Sequence, residues 1–176
     1  MRAAIFTILI FFLSSFSFAQ NNSFDLAVQK ALKWNDTHAA QIMTDTLQWT
    51  MIAAPFAATL FTKERFENFK VVGVTTLSNL FVTTVIKHLV GRERPDKSND
   101  LSFPSGHTSS SVAGATMLCD LVTSDALCGV GIGFAFLASE GRVFANRHWQ
   151  TDVFFGAAIG YAHATYIPKF VFNVNW

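Results

Sequence analysis

The sequence is poor in charge and in cysteine. Asp, Glu, Lys and Arg make up only 14% of its 176 residues, and the net charge of +1 gives no reason to expect a nucleic acid partner. Two cysteines, Cys119 and Cys128, lack metal-ligand spacing and do not form a disulfide framework. They are predicted to be small, buried apolar residues. The length predicts a single domain.

Several motifs are also missing. The sequence has no His-Glu-x-x-His, no cysteine cluster and no carboxylate-rich loop, which disfavours a metal centre, and no cofactor is expected. It has no Walker-type phosphate loop, which argues against a nucleotide-driven enzyme. The apolar segments lack period-two alternation and the chain lacks Asn-Gly hairpin turns, so a strand-based fold is disfavoured.

Apolar residues, in contrast, are abundant: they form 51% of the chain, and phenylalanine alone contributes 19 residues. Five apolar segments leave little polar surface to face water, and their small residues let helices approach closely in a membrane. The predicted fold class is therefore all-α, a membrane-embedded helical bundle of about five spans. The hydropathy of no single segment is high enough to identify a transmembrane helix by itself, so a soluble helical bundle is the alternative. The segments are residues 41–61, 69–90, 107–122, 126–140 and 153–172.

The N-terminal region predicts export. Arg2 precedes an apolar run over residues 3–13, and residues 17–19 (Ser-Phe-Ala) place small side chains where a signal peptidase requires them. Residues 1–19 are therefore predicted to be a signal peptide. A retained membrane anchor is disfavoured because a span needs about 20 apolar residues.

Residues 20–40 are predicted to form an amphipathic N-terminal segment with a helix. Ser23 can cap a helix, and Phe24 and Leu32 belong to an apolar stripe at helical spacing. An amphipathic helix on the membrane surface and a helix packed on the domain fit this pattern equally well. Residues 41–176 form the predicted catalytic domain.

Three polar stretches lie between the apolar segments: Lys87–Pro95, Pro104–His107 and Gly141–Asp152. If the signal peptide is removed, counting the spans places all three stretches outside the cytoplasm. The loop over residues 63–70 then falls inside, in agreement with the positive-inside bias. The predicted location is the bacterial cell envelope, in a multi-pass inner membrane protein whose site faces the periplasm.

The cations of these stretches suggest an anionic ligand. Lys87, Arg94 and Arg142 lie at the ends of apolar segments, where unpaired charge is costly near a membrane, and too few acids are nearby to neutralise them. Arginine suits phosphate because its planar group donates two hydrogen bonds to two oxygens. Arg92 and Arg147 are instead predicted to anchor helix ends.

The neighbouring residues suggest catalysis on that anion. A Pro-Ser-Gly-His sequence precedes a helix, so Ser105 and Gly106 are predicted to offer N–H groups and a hydroxyl to the anion, with His107 near its leaving oxygen. His148 and Asp152 have a spacing that places both on one helix face, where the carboxylate fixes the imidazole tautomer. Each feature alone also fits a capped helix or a structural ion pair. No role is predicted for His38, His88 and His163.

Together the stretches resemble the signature of the type 2 phosphatidic acid phosphatase superfamily, K-x6-R-P, P-S-G-H and S-R-x5-H-x3-D. The resemblance covers residues 41–172. Gly141 departs from the usual Ser, which removes one hydroxyl from the phosphate surroundings. The matching residues are Lys87, Arg94, Pro95, Pro104, Ser105, Gly106, His107, Arg142, His148 and Asp152.

The resemblance implies a phosphohistidine mechanism without a required metal. His148 would attack phosphorus, Asp152 would orient it, and His107 would protonate the leaving group and then activate water. Pro95 would end the preceding helix. The phosphate would be bound by Lys87, Arg94, Ser105, Gly106 and Arg142.

The implied substrate is a lipid phosphate or diphosphate with its tail in the bilayer: undecaprenyl diphosphate, phosphatidylglycerol phosphate, phosphatidate or lipid A phosphate. The main alternative is a soluble periplasmic acid phosphatase for small esters. A vanadium haloperoxidase shares the oxyanion-binding residues, but the short, apolar chain disfavours it. A non-catalytic lipid-binding or structural membrane protein is disfavoured by the complete set of catalytic residues.

Overall fold

The computed structural model describes residues 22–32 and 37–174, and its regular structure there is entirely helical, which confirms the all-α prediction. The predicted signal peptide lies outside the described residues. The second to sixth helices correspond to the five predicted apolar segments. The helices are α1 (Ser23–Leu32), α2 (Thr37–Thr59), α3 (Arg65–Val90), α4 (Gly106–Leu121), α5 (Asp125–Phe144) and α6 (Gln150–Phe172).

Helix α4 is the centre of the bundle and packs against α2, α3, α5 and α6. Its buried side chains are mostly small, so neighbouring helices can come close. Ala113 and Met117 pack against Val72 of α3 and Ala164 of α6. The polar N-terminal end of this central helix is therefore surrounded by the ends of the other helices.

Glycines permit the closest approaches of α4 to its neighbours. A Cβ atom added to Gly114 would lie 1.9 Å from the carbonyl oxygen of Met51 in α2. One added to Gly160 of α6 would lie 2.2 Å from the carbonyl oxygen of Ser109. The predicted role of small residues is confirmed in α4 and α6. It does not extend to every glycine, because the Cβ position of Gly133 in α5 has open space around it.

The first polar stretch begins where α3 ends. Gly91 closes the helix in the left-handed conformation, with φ of 60°, and its N–H bonds to the carbonyl oxygen of Lys87 at 3.0 Å. Glycine adopts this conformation without steric cost. The prediction that Pro95 ends this helix is therefore wrong, since Pro95 lies in the turn beyond it.

Helix α1 packs against α5 and α6, and a buried carboxylate joins it to α6. Asp25 is 1% exposed, whereas the neighbouring Phe24 and Leu26 are about half exposed. Phe24 stacks on Phe154 of α6 with the ring centroids 6.3 Å apart. Of the two arrangements proposed for this segment, the structure has the helix packed on the domain.

Cys119 and Cys128 form a disulfide bond between the last turn of α4 and the first turn of α5. The prediction that they are merely small buried residues is therefore wrong. The hairpin between the two helices brings their Cα atoms to 4.6 Å, within the range that a disulfide bridges. Spacing along the chain does not reveal this approach.

Two of the described helices, α3 and α5, are long and apolar enough to cross a membrane. The surface of the bundle also carries many large apolar side chains. Phe61 is 91% exposed and Phe170 is 84% exposed. The other strongly exposed residues of this kind include Trp49, Phe66, Leu77 and Phe81.

Candidate active site

The three polar stretches meet at one end of the bundle, where hydrogen bonds join them. The Lys87 ammonium group donates to the carbonyl oxygens of Leu101 at 2.9 Å and Pro104 at 2.5 Å, which ties the end of α3 to the start of α4. The N–H of Ser105 donates to the carbonyl oxygen of Asp152 at 2.9 Å, which ties α4 to α6. Residues predicted from separate motifs thus form one cluster.

His148 is buried in the loop before α6, between an acid and a cation. Its Nδ1 lies 3.7 Å from the Asp152 carboxylate, and its Nε2 lies 3.5 Å from Arg94 Nη1. Because α6 begins at Gln150, the two residues meet without the shared helix face that was predicted. Burial lowers the pKa of His148 well below its ordinary value, and the nearby cations, led by Lys87, lower it further. The ring is therefore neutral near pH 7, as a nucleophile must be.

Three donors fix the Asp152 carboxylate. Arg92 Nη1 donates to Oδ1 at 2.5 Å, while the Ser102 hydroxyl and the Trp149 N–H donate to Oδ2 at 2.5 Å and 2.9 Å. The prediction that Arg92 merely anchors a helix end is wrong, because this residue is 5% exposed and bound to the acid that faces His148.

Arg94 crosses from the first polar stretch to the third. Its Nη1 donates to the carbonyl oxygen of Arg147 at 3.0 Å, and its Nε donates to Asn99 at 2.8 Å. Burial lowers the pKa of Arg94, and the charge of Arg147 lowers it further. Arg147 itself pairs with Asp96 at 2.8 Å, away from His148. Of the two arginines, Arg94 is therefore the one whose charge faces the His148 imidazole.

A second acid, Asp45 of α2, joins two of the predicted site residues. Its Oδ1 lies 2.7 Å from His107 Nε2 and accepts a hydrogen bond from Arg142 Nη1 at 3.0 Å. The Asp45 side chain is 54% exposed, so this side of the site is open. Asp45 belongs to none of the three polar stretches, so its place in the site could not be predicted from the sequence.

Gly141 is explained by its contact with α2. A Cβ atom at this position would lie 2.3 Å from Thr44 Cγ2. The Thr44 hydroxyl donates to the carbonyl oxygen of Gln41 at 3.0 Å and accepts from Arg142 Nη1 at 3.1 Å. Thr44 thus supplies a hydroxyl beside Arg142 at a place where a serine side chain on residue 141 has no room.

The start of α4 offers fewer groups to a ligand than was predicted. Ser105 is fully buried, its N–H is bound to Asp152, and its hydroxyl oxygen accepts from the N–H and the hydroxyl of Thr108. The first-turn N–H groups of Gly106 and His107 have no partner within the helix, as at any helix start. A Cβ atom on Gly106 would lie 3.5 Å from Lys87 Cε, so the ammonium group lies beside these N–H groups.

The remaining described histidines lie apart from the cluster. His88 and His163 each bond to the carbonyl oxygen four residues earlier in their own helices. Within residues 22–32 and 37–174, no group of three His, Cys, Asp or Glu side chains is arranged to hold a metal ion.

An apolar groove of about 600 Å³ leads away from the site between α4, α5 and α6. Near the site it is lined by Thr108 and Val153, which follow His107 and Asp152 in sequence, and by Glu140, two residues before Arg142. Its far end reaches Cys119 and Cys128. The groove therefore joins the polar end of the bundle to its apolar flank.

A model of the PAP2 superfamily matches residues 68–176, which include all three polar stretches. The chain belongs to the PAP2 superfamily. The matched region of this PAP2 chain begins within α3 and leaves out α1 and α2, which contribute Asp25 and Asp45.

Individual relatives of this PAP2 chain are phosphatases by name. Over 76 residues it is 38% identical to the lipid A 1-phosphatase of Porphyromonas gingivalis, a match that covers 42% of this chain and only 17% of that protein.

Two crystal structures share its fold. One is Aquifex aeolicus LpxE, with a TM-score of 0.70 and 18% identity, covering 86% of this chain and 98% of the other. The second is the PAP2-type phosphatidylglycerolphosphate phosphatase of Bacillus subtilis, with a TM-score of 0.74 and 20% identity, covering 96% of both chains.

Proposed function

We propose that this PAP2 protein is a membrane phosphatase that hydrolyses a lipid phosphate or diphosphate. The observation that carries the proposal is buried His148, with Nδ1 toward Asp152 and Nε2 toward Arg94. A neutral imidazole held between a carboxylate and a cation is arranged to attack an anionic centre bound by that cation.

In the first chemical step, His148 Nε2 forms a bond to phosphorus while the bond from phosphorus to the lipid oxygen breaks. His107 donates a proton to that departing oxygen. Asp152 stabilises the positive charge that develops on the His148 ring. The charge on the transferring phosphoryl group is stabilised by Lys87, Arg94, Arg142 and the N–H groups at the start of α4.

In the second step, water attacks the phosphohistidine, and His107 accepts the proton that the water loses. The bond between phosphorus and Nε2 breaks, inorganic phosphate leaves, and His148 is again neutral. Neither step requires a metal ion, so we expect a chelator to leave turnover unchanged. Ser105 caps α4 with its hydroxyl oxygen and its N–H is bound to Asp152, so what it contributes to the phosphate is the hydroxyl hydrogen.

Two features support a lipid rather than a small ester as substrate. The apolar groove begins beside the site and is large enough for part of an acyl chain. Exposed phenylalanines, such as Phe61 and Phe170, suit a bilayer better than water. The names of the relatives favour lipid A phosphate and phosphatidylglycerol phosphate among the four candidate lipids.

The same features fit a bundle in which α2 to α6 span the inner membrane. We place the site at the periplasmic face because removal of the predicted signal peptide, followed by the count of spans, puts it there. The alternative is a soluble periplasmic phosphatase for small esters. Fractionation separates the two proposals, since extraction into buffer without detergent would favour the alternative.

The direct test replaces His148 by Ala and measures phosphate release from the four candidate lipids, with and without a chelator. We expect the wild-type protein to act on at least one of them, and His148→Ala to lower release by about 10³-fold or more, because the nucleophile is lost. His88→Ala is the matched control, since His88 is exposed and lies outside the cluster. Undiminished release by His148→Ala would exclude the mechanism.

A further inference from the structure

The N-terminal helix α1 delivers a buried carboxylate to the catalytic end of the bundle. Asp25 Oδ1 accepts from the Thr151 N–H at 2.9 Å. Its Oδ2 accepts from Arg92 Nη2 at 2.7 Å, the Thr151 hydroxyl at 2.6 Å and Asn22 Nδ2 at 2.9 Å. Asn22 precedes α1, Thr151 belongs to the first turn of α6, and Arg92 also bonds to Asp152 in that turn.

Arg92 connects this carboxylate to the site. Its Nη2 is bound to Asp25, while its Nη1 is bound to Asp152 at 2.5 Å and to the Thr151 hydroxyl at 2.8 Å. The guanidinium group also lies over the Trp149 ring, 5.5 Å from its centroid. A planar group held at both ends cannot rotate without losing one acceptor.

We propose that Asp25 is a positioning residue of the active site, which fixes Arg92 so that Arg92 holds the Asp152 carboxylate beside His148. The inference rests on the proposed function, because it assigns Asp25 a part in the same phosphoryl transfer. Helix α1 is then a strap that completes the site from outside the region matched by the family model.

Simple anchoring of α1 explains the arrangement less well. Burying a carboxylate is costly even when it is paired, and an apolar side chain would anchor the helix at lower cost. Phe24 and Leu26 flank Asp25 and remain about half exposed. The helix therefore buries its charged residue more completely than its apolar neighbours, which fits a role that needs the charge.

The test compares Asp25→Asn with wild-type protein in single-turnover experiments that trap the phosphoenzyme. The rate constant of phosphoenzyme formation does not depend on the fraction of folded protein, so a loss of stability alone leaves it unchanged. We expect Asp25→Asn to lower this constant by at least about tenfold, because the geometry of the reacting groups is disturbed. The substrate concentration for half-maximal rate should stay within about twofold of wild type, because the residues that bind the phosphate are unchanged. Asp125→Asn is the matched control, an exposed acid in the first turn of α5.

A second pair of variants tests whether Asp25 acts through Arg92 or independently of it. If Asp25 acts through Arg92, the double variant Asp25→Asn with Arg92→Gln should be no slower than Arg92→Gln alone. The role of Asp25 would be overturned if the rate losses of the two single variants multiply in the double variant, or if the Asp25→Asn rate is within about twofold of wild type. Either result would leave the proposed phosphatase function standing. A wild-type protein that forms no phosphoenzyme with any candidate lipid would overturn both proposals.

Discussion

At the scale of single residues, the site depends on carboxylates that each serve two partners. Asp45 contacts both His107 and Arg142, and Asp152 contacts both Arg92 and His148. An acid placed between a histidine and an arginine holds the two side chains in a fixed relation and stabilises the protonated form of the imidazole. Asp45 is therefore expected to help His107 keep the proton that it gives to the leaving group.

Replacement of Asp45 by Asn tests this role. Because a poor leaving group depends most on protonation, we expect a loss of kcat of about 10²-fold or more on a lipid phosphate. An aryl phosphate, which leaves readily without a proton, should lose less than about tenfold. Steady-state kinetics on both substrates measure the difference, with Glu67→Gln as an exposed control. Equal losses on the two substrates would contradict the role in proton transfer.

A second residue-scale prediction concerns Gly141. Gly141→Ser should cost about 1–3 kcal/mol of stability, because the new Cβ meets Thr44 Cγ2. Thr44→Ser removes that methyl group and keeps the hydroxyl that binds Arg142. We therefore expect the double variant to be more stable than the sum of the single changes by about 0.5–3 kcal/mol. Thermal unfolding of the purified proteins measures this coupling, and additive effects would show that the contact does not decide the choice of residue.

The motif residues could be predicted from sequence because their spacing is fixed along the chain. Lys87, Arg94, His107, Arg142 and His148 all reach the same end of the bundle. Asp152 was predicted as the partner of His148, but Asp25 and Asp45 could not be predicted, because their contacts come from distant helices. Asp25 meets Arg92, and Asp45 meets His107, only after α1 and α2 have packed.

At the scale of helices, the bundle depends on the small side chains of α4, which let four neighbouring helices pack closely against it. Backbone contacts at Gly114 and Gly160 bring α2 and α6 onto it, and these helices carry Asp45 and Asp152. The positions of the acids relative to the start of α4 therefore follow from helix packing. Loosening that packing should disturb catalysis as well as stability.

Gly160→Ala is the test at this scale. The added methyl group meets the carbonyl oxygen of Ser109 in the backbone of α4, which cannot move aside as a flexible side chain can. We expect a loss of about 1–3 kcal/mol in the free energy of unfolding, together with reduced kcat. Gly133→Ala is the control, because its Cβ position is open and alanine favours a helix by up to about 1 kcal/mol. Denaturation in detergent compares the two, and equal stability would contradict the packing argument.

The helices themselves were well predicted, since the apolar segments begin and end within a few residues of α2 to α6. Their length and composition are local properties that the sequence displays directly. The docking of α1 and the residue that terminates α3 were not. The amphipathic pattern of α1 predicts that its apolar residues face the domain, whereas the buried residue is Asp25. Helix α3 is capped by Gly91, four residues before Pro95.

At the scale of the whole molecule, the active site and the disulfide bond lie at opposite ends of α4. If the site faces the periplasm, Cys119 and Cys128 lie toward the cytoplasm, where thiols are normally kept reduced. The orientation of the bundle and the redox state of this pair are therefore linked. One measurement on cells can report on both.

We expect the two cysteines to be thiols in growing cells and to form the bond when the protein is extracted in air. Acid quenching followed by labelling with a mass-shifting maleimide, before and after reduction, measures the fraction of free thiol. Cys119→Ser provides the reference for a single label. A bond already complete in quenched cells would place this end of the bundle in an oxidising compartment and reverse the proposed orientation.

The contact between Gly141 and Thr44 also constrains the order in which the sequence can change during evolution. A serine at residue 141 costs stability while Thr44 keeps its methyl group, and that cost falls once Thr44 has become Ser. The family's usual Ser is therefore two ordered steps away from this chain. The contact with α2 therefore favours Gly141 in this chain even if a serine there would serve the chemistry equally well.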